Sequence, residues 1–290
     1  MFSGAITAIV TPFKNGKVDE DSLRKLINFQ IESGISGIVP CGTTGESATL
    51  SHAEHQLVVD ITVDEVKGRV SVIAGTGSNS TEEAIRLTKH ARDAGADGAL
   101  LITPYYNKPT QKGLYEHYKA VALACDIPQV LYNVPSRTGC NMAAETVISL
   151  AELDMIVGVK EASGDLVKCA QIVKNSPSDF SVLSGEDALN LPILSVGGKG
   201  AISVTANVVP GRMAAMMDAW FKHDVEKARE IHFDLLDIHD AMFLETNPIP
   251  VKTALAMMGK ITEEFRLPLC TMAAGNREKL LEVLKSYGCV

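Results

Sequence analysis

The sequence predicts an α/β fold, a (β/α)8 TIM barrel over residues 1–222 that carries a C-terminal helical appendage over residues 223–290. Three observations lead there. Short apolar runs of strand character recur eight times, amphipathic stretches separate them, and beyond about Gly211 only helical patterns remain. The chain has 290 residues, a length that barrels of this class reach as a single unit.

The strand runs are Ala5–Val10, Gly37–Cys41, Val70–Ala74, Gly98–Ile102, Gln129–Asn133, Met155–Lys160, Phe180–Ser184 and Gly200–Val204. The first seven begin about 25 to 34 residues apart and the last follows after about 20, the length of a strand with its crossover helix. They are nearly continuous apolar runs, as expected when helices cover one face and barrel side chains fill the other. Of the amphipathic stretches, Asp21–Glu32 and Ser80–Ala94 show the pattern best. The second opens on Ser-Thr-Glu-Glu, an N-cap with acids in the first turn, and stops at Gly95, a C′ glycine. Eight such units fit a closed barrel better than an open dinucleotide-binding sheet. The C-terminal helices are expected over Met213–Lys222, His223–Phe243, Pro250–Met258 and Thr271–Tyr287. No flexible linker precedes them, so packed contact with the barrel is expected.

Composition excludes several function classes. Hydrophobic residues make up 46% and charged residues 21%, the balance of an ordinary globular chain. The net charge is −8 and no Lys/Arg run occurs, which argues against nucleic-acid partners. No stretch approaches the length of apolar chain that spans a bilayer, so no membrane partner is expected. The opening MFSGAITAIVTPF lacks a basic n-region and reads as a first strand, not as a signal peptide. The six cysteines are scattered without a C-x-x-C pair, which suits a reducing cytoplasm. The seven histidines show no ligand spacing, so no metal is expected. Gly75-Thr76-Gly77 lacks the third glycine of a dinucleotide fingerprint, and Gly197-Gly198-Lys199-Gly200 lacks the rest of a P-loop. No cofactor is expected.

In a (β/α)8 barrel the chemistry sits at the C-terminal ends of the strands. The sixth run ends Ile156-Val157-Gly158-Val159-Lys160. By alternation Lys160 should share a face with Gly158 and Ile156, the glycine clearing space beside it. Such a lysine either snorkels outward or is buried and reactive; in the second case desolvation favours the neutral amine that attacks a carbonyl carbon. Tyr132 ends the fifth run, 28 positions earlier and one βα unit away, so the two should occupy corresponding ends of adjacent strands. Its phenol suits proton transfer, although a barrel-lining tyrosine satisfied by backbone fits the same pattern. The loop Cys41-Gly42-Thr43-Thr44-Gly45-Glu46 offers hydroxyls and N–H groups for a carboxylate, and equally reads as a capped βα turn. Arg137, on the loop after Tyr132, suits bidentate carboxylate recognition.

Taken together, GTTGES (Gly42–Ser47), YNVPSRTG (Tyr132–Gly139) and GVKEASGD (Gly158–Asp165) resemble the pyruvate-dependent class I aldolase/lyase family. The resemblance runs over essentially the whole chain. It implies a Schiff base between Lys160 and pyruvate, which then condenses with aspartate semialdehyde on the route to lysine and diaminopimelate. It further implies a proton relay of Thr43, Tyr132 and Tyr106, the last reaching into a partner subunit's site. Thr44 would hold the pyruvate carboxylate and Arg137 that of the aldehyde. Gly185 and Ile202 would line the pocket through their backbone, with Asn247 nearby. Self-association to a dimer of dimers is implied, as is an allosteric L-lysine pocket of Ser47, Ala48, His52, His55, Asn79, Glu83 and Tyr105. Two rival readings stand beside this one: cleavage of N-acetylneuraminate or a 2-keto-3-deoxy acid by the same family chemistry, and a non-catalytic amino-acid sensor. The S-R-T-G loop with Arg137 argues against the first, and retention of Lys160 and Tyr132 against the second.

Overall fold

The computed structural model describes residues 2–290. Barrel strand β1 covers Gly4–Ala8; a short hairpin of β2 (Phe13–Lys14) and β3 (Lys17–Val18) follows. The other barrel strands are β4 (Gly37–Val39), β5 (Ser71–Gly75), β6 (Gly98–Ile102), β7 (Gln129–Asn133), β8 (Ile156–Glu161), β9 (Ser181–Ser184) and β10 (Gly200–Ser203). These eight strands are all parallel and close in the order β1-β10-β9-β8-β7-β6-β5-β4, with β4 pairing back onto β1. The predicted barrel is therefore present, each strand within about two residues of its expected bounds. The β2–β3 hairpin is an addition; at two residues per strand it leaves no periodicity to detect.

Side-chain alternation separates two environments. Ile6, Val39, Ile73, Leu100, Val130 and Ile202 fill the barrel interior. Leu101, Leu131, Ile156, Val159 and Val182 face the surrounding helices. Here one expectation is corrected. Ile156 lies on the helix side, not beside Lys160, because the β7–β8 register shifts between Gln129 and Val130. That irregularity turns Val157 inward and breaks the simple alternation below Gly158.

The helix over Thr81–Ala94 begins as its sequence specifies: Ser80 accepts from the Glu83 N–H, and Gly95 closes it in the left-handed region at φ 91°. After β10, Pro210 opens a helix to Phe221 as its first residue. The single helix expected over His223–Phe243 is two, Val225–Asp234 and Leu236–Ala241. No glycine or proline marks the break. The Leu235 N–H is shared between the Ile231 and His232 carbonyls while its side chain is fully buried, so packing overrides helical propensity there. Helices Ile249–Met257 and Ala274–Ser286 complete the chain. Leu255, Leu280 and Leu284 from them join one core with Ile9 and Ile38 beside the barrel.

Candidate active site

The β7–β8 register sets Tyr132 directly opposite Lys160. Lys160 is only 5% exposed, and its Nζ lies 4.3 Å from the Tyr132 ring centroid. The room beside the lysine comes from Gly185, not from Gly158. A Cβ at Gly185 would stand 3.0 Å from the Lys160 Cγ and Cε, whereas one at Gly158 would meet the Ser181 carbonyl oxygen at 2.6 Å. Gly158 thus permits the close approach of β8 and β9.

On the outer face of the same two strand ends sits a buried polar cluster that the sequence reading missed. Asn133 Nδ2 donates to both Glu161 carboxylate oxygens at 3.0 and 3.1 Å, and the Ser163 N–H donates to Oε1 at 2.7 Å. Lys168 Nζ lies 3.6 Å from Glu161 Oε2 and donates to Asn141 Oδ1 at 2.6 Å. The cluster ties the tip of β7 to the tip of β8, and so fixes Tyr132 and Lys160 relative to each other. Its signal was legible, since polar residues immediately follow both apolar strand ends.

Lys160 and Tyr132 open onto a cavity of about 340 Å³, walled further by Thr43, Thr44, Arg137, Gly185 and Asn247. Asn247 Nδ2 donates to Thr44 Oγ1 at 3.1 Å, and Arg137, from the short helix Pro135–Thr138, donates to the Asn247 carbonyl at 3.2 Å. Ile202 is buried in the barrel interior, and the cavity wall there is Val204, the residue just after its strand. Tyr106 stands apart from the cavity, 89% exposed and with a backbone φ of 72°. Among the described residues no side-chain hydrogen bond joins the Thr43, Tyr132 and Tyr106 hydroxyls. Glu186, Phe243 and Thr246 also line the cavity and were not anticipated. The last two arrive from the connection between helices Leu236–Ala241 and Ile249–Met257, about 200 residues from the threonine loop, and no spacing rule reaches that far.

The threonine loop is anchored from behind. Glu46 takes the left-handed conformation at φ 53°, and its fully buried carboxylate pairs with the fully buried Lys252 ammonium of helix Ile249–Met257. Its other oxygen accepts the Arg266 N–H at 3.2 Å, and Lys252 Nζ sits 4.3 Å from the Phe13 ring centroid. Burial pushes the Lys252 amine below its ordinary range while Glu46 holds the charge in place. The hairpin, the threonine loop and the C-terminal helices therefore meet at one ion pair.

A second cavity of about 470 Å³ is lined by Ser47, Ala48, His52, His55, Glu83 and Tyr105. Asn79 stands next to it, donating from Nδ2 to the Tyr105 carbonyl at 3.2 Å. Glu83 is engaged already, by the Ser78 hydroxyl and by His52 Nε2 at 2.7 Å, and both hold its carboxyl below the usual range. Burial lowers the affinity of His55 for a proton; its Nε2 faces the Gly75 carbonyl at 2.8 Å and its Nδ1 has no partner. Thr43, Arg137 and Asn247 are walls of both cavities.

Comparison with known proteins gives one answer. The pattern of the Dihydrodipicolinate synthetase family matches residues 1–287. A curated relative from Syntrophus aciditrophicus (strain SB), named 4-hydroxy-tetrahydrodipicolinate synthase, is 59% identical over 290 residues, all of both chains. A chloride-inhibited dihydrodipicolinate synthase from Acinetobacter baumannii, solved in complex with pyruvate, superposes with a TM-score of 0.98 at 46% identity, covering 100% of both chains. The enzyme from Cyanidioschyzon merolae, solved with lysine bound, superposes at 0.97 with 43% identity, covering 100% of this chain and 99% of that one. With a matched pattern that leaves out only its last three residues, the chain belongs to the dihydrodipicolinate synthetase family.

Proposed function

We propose that this chain condenses pyruvate with L-aspartate 4-semialdehyde through a Schiff base on Lys160, giving (2S,4S)-4-hydroxy-2,3,4,5-tetrahydrodipicolinate for lysine and diaminopimelate biosynthesis. The observation that carries the reading is the buried Lys160 amine, held over the face of Tyr132 at 4.3 Å in a cavity that also presents Thr43, Thr44 and Arg137. In its neutral form the Lys160 amine adds to the pyruvate ketone. Loss of water gives the imine, and loss of a methyl proton gives the enamine that attacks the aldehyde. The product's own amine then displaces Lys160 as the ring closes. Thr44 holds the pyruvate carboxylate and Arg137 that of the aldehyde. Tyr132 and Thr43 move protons, joined by Tyr106 of a second subunit; the exposure of Tyr106 suits a side chain destined for a partner. The steps call for no metal or cofactor.

Two finer assignments accompany this. L-lysine occupies the second cavity and inhibits from there, a reading favoured by the walls that the two cavities share. The chain works as a dimer of dimers in the cytoplasm, consistent with six free cysteines, four of them buried. The test is a direct assay. Condensation of pyruvate with L-aspartate 4-semialdehyde is expected, with no pyruvate released from N-acetylneuraminate or 2-keto-3-deoxy acids. The reverse pattern would replace this reading with that of a sugar-acid lyase.

A further inference from the structure

We infer that Glu186 is a specificity-determining residue that receives the α-ammonium group of the second substrate, as Arg137 receives its carboxylate. The inference rests on the reading above, in which that substrate is an amino aldehyde.

The cavity at Lys160 is lined by three charged side chains, Arg137, Lys160 and Glu186, so Glu186 is its one acid. Pyruvate carries an anion and a ketone, and Lys160 with the threonine loop accounts for both. An amino-acid aldehyde brings in addition a carboxylate and an ammonium. Arg137 matches the first, and only Glu186 has the charge to match the second.

The backbone of Glu186 is fixed while its carboxylate is not. It directly follows Gly185, the residue packed against Lys160. Its N–H donates to Ser184 Oγ at 3.3 Å, and that hydroxyl donates back to the Glu186 carbonyl at 2.8 Å. The half-buried carboxylate itself makes no hydrogen bond or ion pair among the described residues. The adjacent Asp187 is the opposite case, fully engaged by the Val204 and Thr205 N–H groups at 3.0 and 2.9 Å and by Asn190 at 3.2 Å. Two neighbouring acids thus divide their work, one holding the backbone and one left facing the cavity.

Energetics agree with this geometry. Burial, and then the charge of Asp187, push the Glu186 carboxyl above its ordinary range. A carboxylate destabilised in this way gains most from an incoming cation.

The test compares two aldehydes that differ only in the amino group. L-aspartate 4-semialdehyde is the substrate, and succinate semialdehyde, its des-amino analogue, is used as an inhibitor competing with it. In the full-length Glu186→Gln protein, KM for the amino aldehyde is expected to rise by about tenfold or more, the effect of losing one charge-assisted contact. The inhibition constant for succinate semialdehyde should stay within about twofold, because that ligand has no ammonium to lose. Glu186→Asp should recover much of the KM, and trapping of pyruvate on Lys160 should persist in both variants, which also reports that they fold. Equal changes for the two aldehydes, or an unchanged KM in Glu186→Gln, would overturn the inference. A wild-type protein that fails to turn over the amino aldehyde would overturn the functional reading itself, whatever the variants do.

Discussion

Lys160 owes its position to neighbours that differ in what their loss would do. Tyr132 shares its register and offers a ring face and a hydroxyl. Tyr132→Phe should still form the pyruvate adduct but turn over at least about a hundredfold more slowly, the range of a lost proton-transfer group; unchanged kcat would remove it from the relay. Gly185 provides space. Gly185→Ala would bring a methyl to 2.8 Å from Ala162 Cβ and 3.0 Å from Lys160. We expect adduct formation to slow and stability to fall by about 1–3 kcal/mol, the usual cost of overpacking. Much at this scale was readable from sequence. That Lys160, Tyr132 and the threonine loop would meet at one cavity could be read because strand ends are where barrels place chemistry. Gly158 misled because it stands two positions before the lysine in sequence, whereas the space comes from Gly185, just past the end of β9, which no local spacing sets against Lys160.

At the scale of elements, what fixes the site is a small number of buried polar ties between segments far apart in the chain. The Glu46–Lys252 pair joins the threonine loop to helix Ile249–Met257. Lys252→Met would leave a buried carboxylate without its cation and is expected to cost about 3–5 kcal/mol, while Glu46→Leu combined with Lys252→Met should regain most of that. Urea unfolding of the three proteins measures it, and equal loss in single and double variants would contradict the tie. A further tie, between residues that do not line the cavity, has a pH signature. His117, in helix Gln111–Ala124, faces the Thr81 hydroxyl at 2.9 Å, and burial lowers its proton affinity to about 4. An unfolded chain takes up the proton near 6.5, so the folded state loses stability as pH falls from there to about 4. The urea midpoint should therefore decline over that window and decline less in His117→Gln. Neither tie was legible in advance. Local periodicity reports which face of a segment is apolar, and it carries no information about which buried charge will meet which across 206 residues.

Over the whole molecule, the closed barrel gathers the ends of its strands onto one face, and the connection between helices Leu236–Ala241 and Ile249–Met257 covers part of that face with Phe243, Thr246 and Asn247. The second cavity shares Thr43, Arg137 and Asn247 with the first, so a ligand in one would touch walls of the other. L-lysine at sub-millimolar to millimolar levels should lower the rate, and Glu83→Ala should abolish that effect while leaving uninhibited turnover largely intact. Undiminished rates in saturating lysine would refute it. The fold itself was the most legible level, because eight apolar runs at βα spacing leave few alternatives to a closed barrel. Less legible was how the tail folds, as the break at Leu235 shows. Barrel, ties and cavity converge on one amine, and that claim has a direct test. The protein is reduced with borohydride in the presence of pyruvate, digested, and its peptides are weighed. A stable pyruvate-derived mass increment on the peptide carrying Lys160, absent in Lys160→Ala, is the predicted result; an unmodified Lys160 peptide, or an increment that survives in Lys160→Ala, would contradict the account.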